Sequence, residues 1–273
     1  MIKLLVLGPT GTTSRIISKS AIEDDEIEVV AACDISHIND ELGFILGVND
    51  PNRIRITDVK DLQNVINETR PDVVVDFTVA KATEINCIKC VENGIRCVIG
   101  TTALSDDFFT QMEELIKKNS APAVVSSNMA TGVNVLFKMA SILTNYLSDW
   151  DIEILETHHH RKLDSPSGTA LTLAKNISNS LGVKLEDVAK FGRDKGPNKR
   201  RVGAKNEIGI HSIRAGDIVG DHTILYAGPG ERIEIKHQAH SRDCFASGAI
   251  KAIKFIVKAR ENKIYSSIEV LDL

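Results

Sequence analysis

The stretch ETHHHRKLDSPSGTAL, Glu156 to Leu171, sets three histidines, an arginine and a lysine just ahead of a Ser-Gly-Thr. Cationic and proton-carrying groups at that density serve a small polyanion, hold a metal, or form a solvated loop. Pro166 disfavours helix at Ser165, while Ala170, Leu173, Ala174, Ile177 and Leu181 follow at helical spacing. Ser167, Gly168 and Thr169 therefore stand at a helix start, where unpaired N–H groups and the helix dipole attract an anion. Lys162 and a neighbouring histidine add charge-assisted bonds to a carboxylate. Together they describe a site for a small carboxylate with a proton donor beside it. A zinc site could use Glu156, His158 and His160, which share a face if the run is extended. Arg161 and Lys162 so close by would repel a cation, so no metal is expected. The solvated-loop reading leaves unexplained why the run abuts a helix mouth in a chain that also carries a dinucleotide-type turn.

That turn is Gly8-Pro9-Thr10-Gly11-Thr12-Thr13-Ser14, between the apolar run IKLLVL and the helical SRIISKSAI. Gly8 allows a tight turn, and Gly11, followed by Thr12 and Thr13, lets backbone approach a pyrophosphate at a helix N-terminus. Ser14 stands where such fingerprints end in glycine. Asp34 closes the second apolar run, IEVVAACD, about 20 residues on, where a carboxylate bonds the adenine-ribose hydroxyls. Ile35, Ser36 and His37 follow, with no arginine or lysine for a 2′-phosphate, so the pattern favours NADH over NADPH. Gly100, Thr101 and Thr102, and Ser126, Ser127 and Asn128, fall at the carboxyl ends of later apolar runs, where such sheets bind ligands.

These residues need elements to hold them. The continuous apolar runs IKLLVLG, IEVVAACD, VVVDFT, RCVIGTT and APAVVSSN alternate with helix-like stretches, one closed by Gly94 and one opened by Ser105. Such alternation predicts a doubly wound parallel sheet covered on both faces. After Asn128 a long helix leads to DIEILET, the histidine run and a helix from about Gly168 to Leu181. EIGIHSIR, HTILYAG and RIEIKHQ follow with short Gly-containing connections, which predict antiparallel neighbours. DCFASGAIKAIKFIVKAREN reads as a helix able to pack back on the first domain.

At 273 residues two domains are expected. A composition of 42% hydrophobic and 26% charged residues excludes disordered and fibrous classes, and a net charge of -4 excludes a broad nucleic-acid footprint. The opening residues lack the parts of a signal peptide and no apolar run approaches a membrane span, so no membrane partner and a cytoplasmic protein are expected. Cys87 and Cys90 have C-x-x-C spacing inside a helix-like segment and read as buried thiols.

The histidine stretch resembles the signature E-x-H-H-x-x-K-x-D-[AS]-P-S-G-T-A of the 4-hydroxy-tetrahydrodipicolinate reductase family. The resemblance extends to DFT at Asp76 to Thr78, GTT at Gly100 to Thr102, S-N-x-x-x-G-V-N from Ser127 to Asn134, IRAGDIVGDHT from Ile213 to Thr223, and IYSSIEVLDL at the end. It implies a Rossmann-type doubly wound parallel sheet, residues 1–129 plus 241–273, with an inserted α+β domain on a mostly antiparallel open sheet, residues 130–240, that binds substrate and builds a homotetramer. It implies that His158 is the general acid, that Lys162 supports it, and that His159, Lys162, Ser167, Gly168 and Thr169 bind carboxylate. Phe77, Thr78 and Met129 join the cofactor positions by the same resemblance. The implied reaction is hydride transfer from NADH or NADPH to a cyclic dicarboxylate in lysine and diaminopimelate biosynthesis. The family turn is usually G-x-x-G-x-M-G with an arginine before the methionine, and Thr12, Thr13 and Ser14 depart from it. Other readings are a reductase of a related cyclic imine dicarboxylate, a silent NAD-binding sensor, and a zinc hydrolase.

Overall fold

The computed structural model describes residues 1–200 and 207–273. They form two compact units, residues 1–131 with 242–273, and residues 132–241.

In the first unit the strands are β1 (Ile2–Leu7), β2 (Ile27–Asp34), β3 (Ile56–Asp58), β4 (Val73–Asp76), β5 (Arg96–Ile99) and β6 (Ala123–Val125). Between them run α1 (Thr12–Ile22), α2 (Leu42–Leu46), α3 (Leu62–Thr69), α4 (Ala80–Glu92) and α5 (Asp106–Asn119). With a short final strand, Ile264–Tyr265, the described residues make a seven-stranded parallel sheet whose inner order is β6-β5-β4-β1-β2-β3. In β1, Leu4 and Val6 enter one core cluster while Leu5 and Leu7 enter the other. Burial on both faces is what an uninterrupted apolar run requires. β3 and the final strand are three and two residues long, too short to show a period. Ser105 caps α5 by accepting from Phe108 N–H, and Gly94 follows α4 at φ +76°. Cys87 and Cys90 are wholly buried in the second cluster.

The second unit holds α6 (Thr131–Tyr146, whose first residue belongs to the first unit), β7 (Asp151–His158), α7 (Gly168–Ser180), α8 (Leu185–Val188), β8 (Ala189–Phe191), β9 (Ile208–Arg214), β10 (Gly220–Gly228) and β11 (Glu231–Ala239). α9 (Asp243–Ile256), β12 (the final strand) and α10 (Ser267–Val270) complete the first unit. The second sheet has the order β11-β10-β7-β9-β8. β10 and β11 are antiparallel neighbours, as their short turn predicts. β9 and β10 are not neighbours, which corrects the expectation from their short connection. β7 lies between them, antiparallel to β10 and parallel to β9, so the sheet is mixed. The physical reason lies in the central place of β7, whose alternating Ile152 and Ile154 are wholly buried and pair with strands on both sides. Connection length limits reach but does not forbid stepping over one strand.

Candidate active site

The candidate site is built at the end of β7. The period of two in DIEILETH puts Ile152, Ile154, Glu156 and His158 on one buried face. Glu156 is 0% exposed, and a carboxylate is tolerated there only with its oxygens met. Arg214 of β9 bonds it with two prongs, Nη1 to Oε2 at 2.9 Å and Nη2 to Oε1 at 2.8 Å. The Ser167 N–H donates to Oε1 at 3.1 Å, and His158 Nδ1 lies 2.5 Å from Oε2. Burial alone would raise the Glu156 pKa. Hydrogen bonds from Arg214, Ser212 and His158 outweigh it and bring the carboxyl to about 2.

An ionised Glu156 assigns the hydrogen on His158 to Nδ1, so Nε2 is the ring atom left for chemistry. Gly220 of β10 keeps space beside it: a Cβ there would come within 3.0 Å of Nε2. Burial pulls the His158 pKa down, Glu156 pulls it up, and Lys162 and Arg214 add to the downward pull, leaving it below the usual histidine value. Lys162 Nζ pairs with Asp164 Oδ1 at 2.8 Å, a partner whose side chain is 59% exposed. Such a pair is weak enough for an arriving carboxylate to compete with it. His159 is half-buried beside them. His160 turns away to bond Gly216 O through Nδ1 at 2.9 Å, and Arg161 pairs with Asp217 at 2.8 Å. The set Glu156, His158 and His160 therefore does not converge, and the zinc arrangement is not assembled. Ser167 caps α7 by accepting from Ala170 N–H at 3.1 Å, and no atom lies within 4 Å of where a Gly168 Cβ would stand. The helix mouth at Gly168 thus has room for an anion.

In the first unit a cavity of about 420 Å³ is lined by Gly8, Gly11, Asp34, Phe77 and Thr78 among others. Gly8 has φ +63° and a Cβ on it would meet Thr78 Cγ2 at 2.5 Å, so only glycine serves. Gly11 precedes α1 with no side-chain cap on the helix, which leaves its first N–H groups to a ligand. Asp34 accepts from Thr10 N–H at 3.2 Å, Thr10 hydroxyl at 2.8 Å and Ile35 N–H at 2.7 Å, which aims it across the turn. Ser14, in the first turn of α1, is 3% exposed and takes the packing place of the missing glycine. The residues fit a dinucleotide.

Thr12 begins α1 and Thr13 follows it, both outside the cavity lining. Gly100 admits the Phe77 ring, 2.0 Å from where its Cβ would be. Thr101 is buried and joins Thr78 and Thr83 in hydrogen-bonding Asp76, while Thr102 is exposed. Ser126 and Asn128 bond each other, and Ser127 is exposed. The Met129 side chain lies in the core against Ser267, so it does not line the cavity. Arg214 and His222 were missed as site residues by sequence reading. A signal was present for Arg214, since a glutamate on the buried face of a strand demands a cation; none at fixed spacing marks His222.

A doubly wound sheet with this turn and this aspartate, in one chain with a histidine and a lysine beside an open helix start, defines a nicotinamide-dependent oxidoreductase. Residues 2–129 match the family model for the N-terminus of dihydrodipicolinate reductase and residues 132–271 that for its C-terminus. The chain belongs to that family. It is 43% identical to the 4-hydroxy-tetrahydrodipicolinate reductase of Methanosarcina acetivorans, over 100% of both chains. It is 40% identical to that of Methanocaldococcus jannaschii, over 100% of this chain and 98% of the other. A dipicolinate-bound dihydrodipicolinate reductase from Paenisporosarcina sp. TG-14 is 28% identical and superimposes with a TM-score of 0.77, over 97% of this chain and 98% of that one.

Proposed function

We propose that the chain reduces 4-hydroxy-tetrahydrodipicolinate to tetrahydrodipicolinate with loss of water, in lysine and diaminopimelate biosynthesis. The observation that carries this reading is full-length identity of 40–43% to reductases of that name. Bound nicotinamide supplies the hydride. His158 protonates the ring carbon beside the one reduced, through Nε2, while Glu156 holds its Nδ1–H. Lys162, His159, Ser167, Gly168 and Thr169 bind the carboxylate. A dicarboxylate arriving at Lys162 and the α7 mouth also raises the proton affinity of His158, so the acid is loaded as substrate binds.

In this reading the first unit holds the dinucleotide, and the second binds substrate and builds a homotetramer. Support for the latter is the second sheet's other face, where Ile213 is 45% exposed and Leu155 and Leu225 are half-buried. No helix among the described residues is long and apolar enough to cross a membrane. We place the protein in the cytoplasm, in keeping with its five free cysteines.

The direct test mixes freshly generated 4-hydroxy-tetrahydrodipicolinate with NADH or NADPH and follows nicotinamide absorbance. Substrate-dependent oxidation is expected; a protein that binds NADH but oxidises none overturns the reading. Asp34 also sets an expected preference. NADH is expected to bind about tenfold more tightly than NADPH, because a 2′-phosphate would face an aspartate with no lysine or arginine among the described residues lining the cavity. Asp34→Asn narrows that ratio to near one, read from fluorescence titration of both nucleotides. An unchanged ratio removes Asp34 as the discriminator.

A further inference from the structure

We propose that His222 is a positioning residue that holds the general-acid ring and the carboxylate-binding helix mouth in one register. The proposal rests on the reductase reading above. Register places His222 of β10 opposite Glu156 of β7 on one side and His237 of β11 on the other. Its side chain is 3% exposed. Two contacts matter. The ring meets His158 edge-on, with centroids 5.2 Å apart and planes at 74°, and Nε2 lies 3.1 Å from Ser167 Oγ.

Ser167 shows why the second contact is specific. Its oxygen already accepts from Ala170 N–H at 3.1 Å and its hydrogen can be donated to His222 Nε2 where that nitrogen carries none. Accepting that hydrogen requires a neutral ring. Burial, helped by the cationic form of His158, lowers the His222 pKa to about 4, so the ring is neutral at pH 7. The groups around it are His158 and Glu156 on β7, His237 on β11 and Asp221 on its own strand. A second cation here would oppose the proton that His158 must carry. An apolar side chain would fill the space but strand the Ser167 hydroxyl.

His158 ends β7 and Gly168 starts α7, so the proton donor and the carboxylate site come from different elements. Glu156 ties them on one side, through His158 Nδ1 and Ser167 N–H. His222 ties them a second time, through its edge-on contact with the His158 ring and its bond to Ser167 Oγ.

Glutamine can place its terminal amide near the position of Nε2, whereas asparagine reaches only that of Nδ1. In the full-length enzyme, His222→Asn is expected to lower kcat/KM for the dicarboxylate about tenfold, largely through KM, as for one lost hydrogen bond. His222→Gln is expected to recover most of that loss, with the nucleotide KM unchanged in both. Ser167→Ala removes the same bond from the other side, so the double variant with His222→Asn should lose little beyond the worse single one. An inactive wild type would sink the reductase reading itself. With an active wild type, the positioning role is overturned if Asn and Gln behave alike, or if the losses of Ser167→Ala and His222→Asn simply add. If no His222 variant folds, Ser167→Ala decides: a substrate KM within twofold of wild type or an unmoved pH limb of kcat/KM overturns the proposal, and a KM rise joined to a shifted limb, which a lost carboxylate contact alone would not move in the free enzyme, supports it.

Discussion

His158→Gln lowers kcat/KM by about 10²–10⁴-fold, the contribution of a positioned general acid, while nucleotide affinity stays at the wild-type value. Glutamine retains a hydrogen-bonding group near the place of Nε2 and can still face the open space left by Gly220. It has no proton to give up near neutral pH, so the loss falls on chemistry rather than on binding. Steady-state rates with saturating nucleotide, set beside a fluorescence titration of NADH, separate the two. The pH profile carries the sign. In the proposed role His158 works in its protonated form, so kcat/KM is expected to fall as pH rises through its free-enzyme pKa, which burial holds below the usual histidine value. In the bound complex the dicarboxylate raises that pKa, and the fall in kcat comes at higher pH. His158→Gln should lack this limb. Retention of the limb in the variant would assign it to another group.

Glu156→Gln should be costly twice. The substitution preserves shape but leaves Arg214 without its carboxylate inside the sheet, and breaking one partner of a buried pair destabilises by about 3 kcal/mol. The pKa displacement leads to a similar figure: a drop from 4.5 to about 2 corresponds to about 3 kcal/mol. The depressed folded value means this stability is complete above the unfolded pKa and is lost as pH falls toward 2. Chemical denaturation of wild type and variant at pH 7 and at pH 3 therefore gives a gap that shrinks on acidification. Activity falls as well, because an amide oxygen holds the His158 Nδ1–H without stabilising an imidazolium. A variant equal to wild type in stability at pH 7 would show that the Arg214 pair contributes nothing net.

The doubly wound sheet was legible because a strand buried on both faces must be apolar at successive positions, as Leu4 to Leu7 are. The turn at Gly8 was legible because φ +63° against Thr78 excludes other residues. Ser167 as a helix cap was readable from Pro166 and the helical spacing that follows, since capping is decided within a few residues. All of these are local constraints, and local constraints leave marks at fixed spacing.

What spacing does not carry is which strand lies beside which. Whether β9 borders β10 or β7 depends on how Ile152 and Ile154 are buried from both sides, and that is settled only when the whole second sheet packs. The same pairing brings Arg214 to Glu156 across 58 positions of sequence and His222 to Ser167 across 55. The sequence alone thus determined the element types, the glycine turn and the candidate for the proton donor. The tertiary structure alone decided the partners that set its charge and orientation, because a buried carboxylate is satisfied by whatever cation the fold brings to it, and sequence distance does not enter that energy.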